Sequence, residues 1–190
     1  MSKLKYPDIN SGNLKELFDG IQQSRGWISN ALRMLAHAPE GLKTFHAVGH
    51  YSRYDTDLSV IQRELIIVIT GRGIPYAAGH HVPLARDAGV TEEQIKSIIA
   101  GKVPSGLAAK DAALCEYVFA FTSFKGVDEK IFQNLQRYFS PRQITDISLV
   151  SAYYLALGAC IIAFDVELEP PEMLQTELDW QRKQSAAKAP

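Results

Sequence analysis

Glu64 and the adjacent His80 and His81 are the side chains of this sequence best suited to act together as acids and bases. Glu64 opens the run Leu65-Ile66-Ile67-Val68-Ile69, which is uncharged and long enough to be buried on nearly every face. A carboxylate tied to such a run must be paired or hydrogen-bonded, or else have its pKa raised by desolvation. The break at Gly71-Arg72-Gly73-Ile74-Pro75 reverses the chain, and the Ala-rich segment after it brings the two histidines back toward the carboxylate. One residue of helix turns a side chain by about 100°, so His80 and His81 cannot face one point equally. His81 is taken as the reacting group and His80 as its neighbour. Arg72, in the Gly-rich turn, could hold a substrate carboxylate bidentately, and Tyr76 could donate its hydroxyl to a developing oxyanion. Each has a structural alternative. Glu64 could pair with Arg63, Arg72 or Arg86 at a helix end, either histidine could be a satisfied core residue, Arg72 could be a solvated surface cation, and Tyr76 could wedge two helices apart. His46 and His50 stand i, i+4, as two metal ligands would. Spacing supplies no third ligand, so no metal is expected.

The elements that must position these groups read as helices throughout, because apolar residues recur at helical rather than strand spacing. Leu14, Leu17, Phe18 and Ile21 follow a cap at Ser11 or Asn13, and Trp27, Leu32, Met34 and Leu35 continue the pattern up to Ala38-Pro39. A helix through Leu42, Phe45, Val48 and Tyr51 ends near Asp55-Thr56-Asp57. The Glu64 helix spans Leu58 to Thr70, and its partner spans Tyr76 to Ala88 and is closed by Gly89. Pro83 lies inside that partner and cannot donate to the Gly79 carbonyl, which predicts a kink or a later start. Thr91-Glu92-Glu93-Gln94 caps a short helix; further helices follow over 108–121, from Asp128 to Tyr138, and over 144–164. The 144–164 helix is apolar around most of its circumference. It is therefore expected to be central or shared between subunits, with part of the Tyr153/Tyr154 face at an interface.

Glu64 on an apolar helix, a short loop, Tyr76, a histidine and then Pro83-Leu84-Ala85-Arg86-Asp87-Ala88-Gly89-Val90-Thr91-Glu92-Glu93 together resemble the core of the carboxymuconolactone decarboxylase-like proteins. That superfamily also contains the alkylhydroperoxidase D-like enzymes. The resemblance extends upstream to Leu35-Ala36-His37-Ala38-Pro39-Glu40-Gly41-Leu42 and downstream to Tyr153-Tyr154 and Phe164-Asp165-Val166-Glu167-Leu168, so it covers roughly residues 30 to 170. It implies an all-α, single-domain alkylhydroperoxidase D-like helical bundle over 1–169, with a polar C-terminal arm over 170–190. It also implies a homo-oligomer, trimer or hexamer, and cofactor-independent decarboxylase-like lyase chemistry on a small cyclic or conjugated oxo-acid or lactone. In that scheme Arg72 holds the carboxylate, Tyr76 or His80 donates to the enolate-type oxygen, and His81, with Glu64 behind it, protonates carbon. The other readings are a non-catalytic oligomeric scaffold of the same fold and an alkylhydroperoxidase-type antioxidant enzyme, which would need Cys115 and Cys160 to come together.

The sequence departs from the pattern at two places. In the redox branch, two cysteines three residues apart precede the motif histidine, the second of them four residues before it; here Ile74 and Ala77 stand there. Many decarboxylase-like members carry Tyr-Glu-Trp at this point, whereas here Tyr76 is followed by Ala77 and Ala78. The only cysteines, Cys115 and Cys160, lie far away in apolar surroundings without the electropositive setting and resolving partner that a thiol peroxidase needs.

Bulk properties set the remaining bounds. With 20 Lys and Arg against 21 Asp and Glu in 190 residues, the formal charge is −1, and no basic field recruits nucleic acid. The N-terminal residues lack the apolar stretch of a signal peptide, and no uninterrupted apolar run reaches bilayer length. The expectation is a cytoplasmic protein with a small-molecule substrate, free thiols and neither membrane nor nucleic-acid partner.

Overall fold

The computed structural model describes residues 2–187, and among them every regular element is helical. They fall into two compact units, one running up to Val48 and resuming from Ala159, the other spanning Gly49–Gly158.

The first unit holds α1 (Gly12–Arg25), α2 (Asn30–Leu35), most of α3 (Pro39–His50) and the C-terminal helix, α10 (Pro171–Ala187). Phe18 and Ile21 of α1 form a buried cluster with Leu32, Ala36 and Leu42. The apolar pattern read as continuous from Trp27 is interrupted, because Gly26 ends α1 with φ +78° and Ser29 restarts the chain, accepting a hydrogen bond from the Leu32 N–H. The stretch expected to be a polar arm from 170 is helical over 171–187, and residues 188–190 lie outside the described residues. Its buried positions are themselves polar: Glu177, 3.9 Å from the Arg25 guanidinium, and Gln181. For that reason no apolar periodicity announces it.

The second unit carries the chemistry-bearing segment. A π-helical turn, Tyr51–Asp55, follows α3. Then come α4 (Val60–Thr70), α5 (Pro75–Asp87), α6 (Glu92–Ile99), α7 (Ala109–Phe121), α8 (Glu129–Gln136) and α9 (Pro141–Phe164), the last ending beyond the unit. A capping box between Ser59 and Gln62 starts α4, and one between Thr91 and Gln94 starts α6. Gln62 also donates to Asp111 at 3.0 Å, tying α4 to α7. Leu65, Ile66, Ile67 and Ile69 are sealed from solvent, as their unbroken apolar run requires. Proline at its first turn starts α5 at Pro75 rather than later, and the helix continues through Pro83.

By length and composition α9 could cross a bilayer. In this fold its Ile147, Val150, Tyr153 and Tyr154 are buried within the unit, as is the carboxylate of Asp146. That carboxylate accepts the Tyr51 hydroxyl at 2.5 Å and the Asp57 N–H at 3.0 Å, which fixes the start of α9 to the π-helical turn. The Tyr153/Tyr154 face expected at a subunit interface is thus filled from within the chain. The Tyr153 hydroxyl lies so close to Gly49 that any Cβ there would collide with it.

Candidate functional site

A four-residue connection, Gly71 to Ile74, folds α4 and α5 into a helical hairpin. The α4 end is closed by the Gly71 N–H donating to Ile67 at 2.8 Å, and Gly73 takes the left-handed conformation at φ +82°. Further along the hairpin His81 Nδ1 lies 2.9 Å from Glu64 Oε2, with side-chain exposures of only 9% and 1%. Against an ionised carboxylate, which can only accept, Nδ1 is the donor and the lone pair of a neutral ring resides on Nε2. The second Glu64 oxygen, Oε1, is buried without a hydrogen-bond partner among the described residues.

The surroundings of this pair come from distant parts of the sequence. Tyr154 sets its ring edge-on to the imidazole, with centroids 5.2 Å apart and planes at 87°, and Tyr153 packs perpendicular behind it. The π-helical turn delivers the Arg53 side chain into the interior, where its positive charge acts on the Tyr154 hydroxyl. Burial pushes the Tyr154 phenol well above its ordinary pKa, against the opposing pull of Arg53, so it remains a neutral hydroxyl. Arg63 is half-buried nearby and donates to the Leu58 carbonyl at 3.1 Å. Burial, and then repulsion from Arg53, lower the Arg63 pKa, while attraction to Glu64 opposes both. The pair therefore sits in a field set by two guanidinium groups.

A concave groove of about 250 Å³ opens on the same hairpin, and its position follows from helical register. Its lining includes Ile67, Val68 and Gly71, which are residues i+3, i+4 and i+7 from Glu64. It also includes Ala78, Ala77 and Ile74, which are residues i−3, i−4 and i−7 from His81. Residues at these offsets share one face of a helix. Groove and acid–base pair thus lie along a single interhelical seam, although neither Glu64 nor His81 lines the groove itself. Arg72 lines it as well; its Nη1 donates to the Ile69 carbonyl at 2.8 Å and to the Thr122 hydroxyl at 3.2 Å, and its guanidinium lies over the Phe119 ring at 5.2 Å.

The residues singled out from the sequence therefore divide. Glu64 and His81 meet, and Arg72 borders their seam. Tyr76 and His80 stack on each other with centroids 4.7 Å apart, and they project from α5 roughly 140° and 100° round from His81. Tyr76 and His80 are both buried, and the ring set edge-on to the His81 imidazole is that of Tyr154. His50 lies 3.8 Å from the Asp55 carboxylate and packs on Tyr54. Among the described residues no three His, Cys, Asp or Glu side chains are grouped to hold a metal ion. Arg53 escaped notice because nothing around it, in Tyr51-Ser52-Arg53-Tyr54-Asp55, signals an interior cation; the only hint is a cation in a short loop between two apolar helices.

A profile of the carboxymuconolactone decarboxylase family matches residues 39–118, the span that contains the hairpin. The fold recurs in an alkylhydroperoxidase AhpD core protein, an uncharacterised peroxidase-related protein from Ralstonia eutropha JMP134, with a TM-score of 0.74 and 18% identity over 93% of this chain and 96% of that one. Residues 39–118 thus resemble the carboxymuconolactone decarboxylase family, and the fold is that of alkylhydroperoxidase D-like proteins. A peroxidase-related protein from Silicibacter sp. TM1040 is similar at TM-score 0.74 and 19% identity, over 91% of this chain and 94% of its own. The debrominase Bmp8, in complex with 2,3,4-tribromopyrrole, is similar at TM-score 0.71 and 18% identity, over 95% and 96%. No curated protein sequence matches.

At the groove, Ile74 and Ala77 stand where the sequence comparison placed the two cysteines of the redox-type pattern. Cys115 and Cys160 are both free thiols. Burial pushes the Cys115 thiol up to about 12, so it stays protonated, and unreactive, at any pH below that. Titration of the native protein with an aromatic disulfide reagent at pH 8 should therefore modify no more than the half-buried Cys160, and both thiols only after denaturation. Rapid reaction of Cys115 in the native state would contradict its inert setting.

Proposed function

We propose that this chain is a cofactor-independent lyase that decarboxylates a small cyclic or conjugated oxo-acid, with His81 and Glu64 as the proton-transfer pair. The observation that carries this reading is the Glu64–His81 hydrogen bond, sheltered from water and sharing one seam with a ring-sized groove. When carbon dioxide leaves a β-keto or β,γ-unsaturated acid, the bonding electron pair flows into the conjugated carbonyl and produces an enolate. The imidazolium of His81 then protonates carbon, and a proton from solvent restores the ring, so that one acid anion and one proton become product and carbon dioxide. A histidine suits this task because its ordinary pKa lies near working pH, and Glu64 orients it and steadies its charged form. Arg72 holds the departing carboxylate until the bond breaks. Similarity to a debrominase seen with 2,3,4-tribromopyrrole, a small ring, supports a ring-sized ligand.

Cytoplasmic location and assembly into a trimer or hexamer belong to the same proposal. The large apolar side chains Leu149 and Ile162, exposed on α9, are its support for assembly. The test is release of carbon dioxide from a panel of cyclic β-keto acids and unsaturated lactone acids. The expected result is turnover of at least one member above the uncatalysed rate. Equal rates with and without protein across the panel would favour the scaffold reading.

A further inference from the structure

Charge is distributed very unevenly around the groove. Its walls are aliphatic side chains and the backbone of the Gly71–Pro75 turn, and Ile99 stands on its rim, 57% exposed. Among the described residues Arg72 is the only charged one in its lining. Both of its hydrogen bonds use Nη1, and Phe119 supports the guanidinium plane, so the fork is held in place while Nη2 and Nε have no acceptor among the described residues. A guanidinium oriented in this way is preorganised for one carboxylate. A second carboxylate on the same ligand would be desolvated against Ile67, Val68, Ile74 or Val82 with no cation to meet it, which is costly.

We propose that the groove selects a ring bearing a single carboxylate, a monoanionic cyclic acid, and discriminates against dicarboxylic acids of the same size. For its chemistry this rests on the lyase reading above; for binding it rests on the groove alone. The carboxylate sits on Arg72, the ring lies against Ala77 and Ala78, and the edge of the ring remote from Arg72 points along the seam toward His81. A second copy of the chain is a poorer occupant, because the groove ends in a held guanidinium with unmet donors rather than in a flat apolar face.

Three probes test this by calorimetry or ligand-observed NMR on the full chain: cyclohexanecarboxylate, its amide, and trans-cyclohexane-1,4-dicarboxylate. The monoacid should bind at least about tenfold more tightly than either of the others, a difference of about 1.4 kcal/mol. Arg72→Gln should remove that preference. Because Arg72 also caps α4, the decisive variant is the exposed rim substitution Ile99→Arg, which supplies a second cation without disturbing the core. It should raise dicarboxylate affinity about fivefold or more and so shrink the preference for the monoacid. Equal binding of mono- and dicarboxylate by the wild type, an unchanged preference in Ile99→Arg, or monoacid binding that disappears as the chain self-associates would overturn the proposal. Monoacid selectivity without carbon dioxide release from cyclic β-keto acids would sink only the lyase reading. Turnover of dicarboxylates as fast as monocarboxylates would sink only this one.

Discussion

Replacing His81 with alanine is expected to lower kcat about 10²- to 10⁴-fold, the range that one positioned acid–base group contributes. KM should change little, because the proposed binding contacts lie in the groove and on Arg72. The substitution also leaves the Glu64 carboxylate buried with neither oxygen hydrogen-bonded. Removing one partner of a buried pair typically costs about 3–5 kcal/mol, and a low rate could then reflect unfolding. Two further variants separate these effects. Glu64→Gln keeps the shape and a hydrogen-bond acceptor for Nδ1 but loses the charge that favours imidazolium, so kcat should fall while the protein remains folded. Replacing both Glu64 and His81 with leucine should leave stability close to that of the wild type, since apolar residues of similar volume often substitute for a buried ionic pair without loss, and should abolish turnover. If the double leucine variant instead unfolds and Glu64→Gln retains full activity, the pair is a structural fastening and the catalytic assignment fails.

What the sequence revealed and what it concealed divide along the range of the interactions involved. Glu64 and His81 were legible because both lie on one hairpin, where a Gly/Pro break and helical periodicity determine which residues return to which. The face on which each α5 side chain points depends on where that helix begins, and Pro75 sets the phase. Counting 100° per residue from there separates Tyr76 and His80 from His81, whereas sequence proximity alone had grouped them. Arg53 and Tyr154 were beyond reach for a different reason. They are 101 positions apart, and only the fold of the second unit, fastened where Asp146 holds Tyr51 and Asp57, brings the π-helical turn against α9. The C-terminal helix was missed because its inward face buries Glu177 and Gln181. Periodicity detects elements by their apolar stripe, and a helix that buries polar residues gives no such stripe.

The spacing of the hairpin itself is set at Gly71, and Gly71→Ala should show how little tolerance it has. The backbone there, at φ −87° and ψ 2°, suits alanine, so any effect is steric rather than conformational. An added Cβ would lie 2.7 Å from the Ala77 Cβ and 3.1 Å from the Ile67 carbonyl oxygen. Carbon atoms rest about 3.5–4.0 Å apart, and neither obstacle is the end of a flexible side chain, so α4 and α5 must separate by about an ångström. Overpacking of this kind costs about 1–3 kcal/mol, or several degrees in Tm for a chain of this size. Because Gly71 and Ala77 lie on the same seam as Glu64 and His81, the separation should also lengthen the 2.9 Å hydrogen bond and lower kcat. The companion Ala77→Gly restores the space at the cost of about 0.5–1 kcal/mol of helix propensity. Combined with Gly71→Ala, it should recover most of the lost stability and turnover, giving a coupling of about 1–2 kcal/mol in a double-mutant cycle. Simple additivity of the two substitutions would mean that Gly71 and Ala77 do not set the distance between the helices, and the argument placing groove and acid–base pair on one seam would lose its foundation.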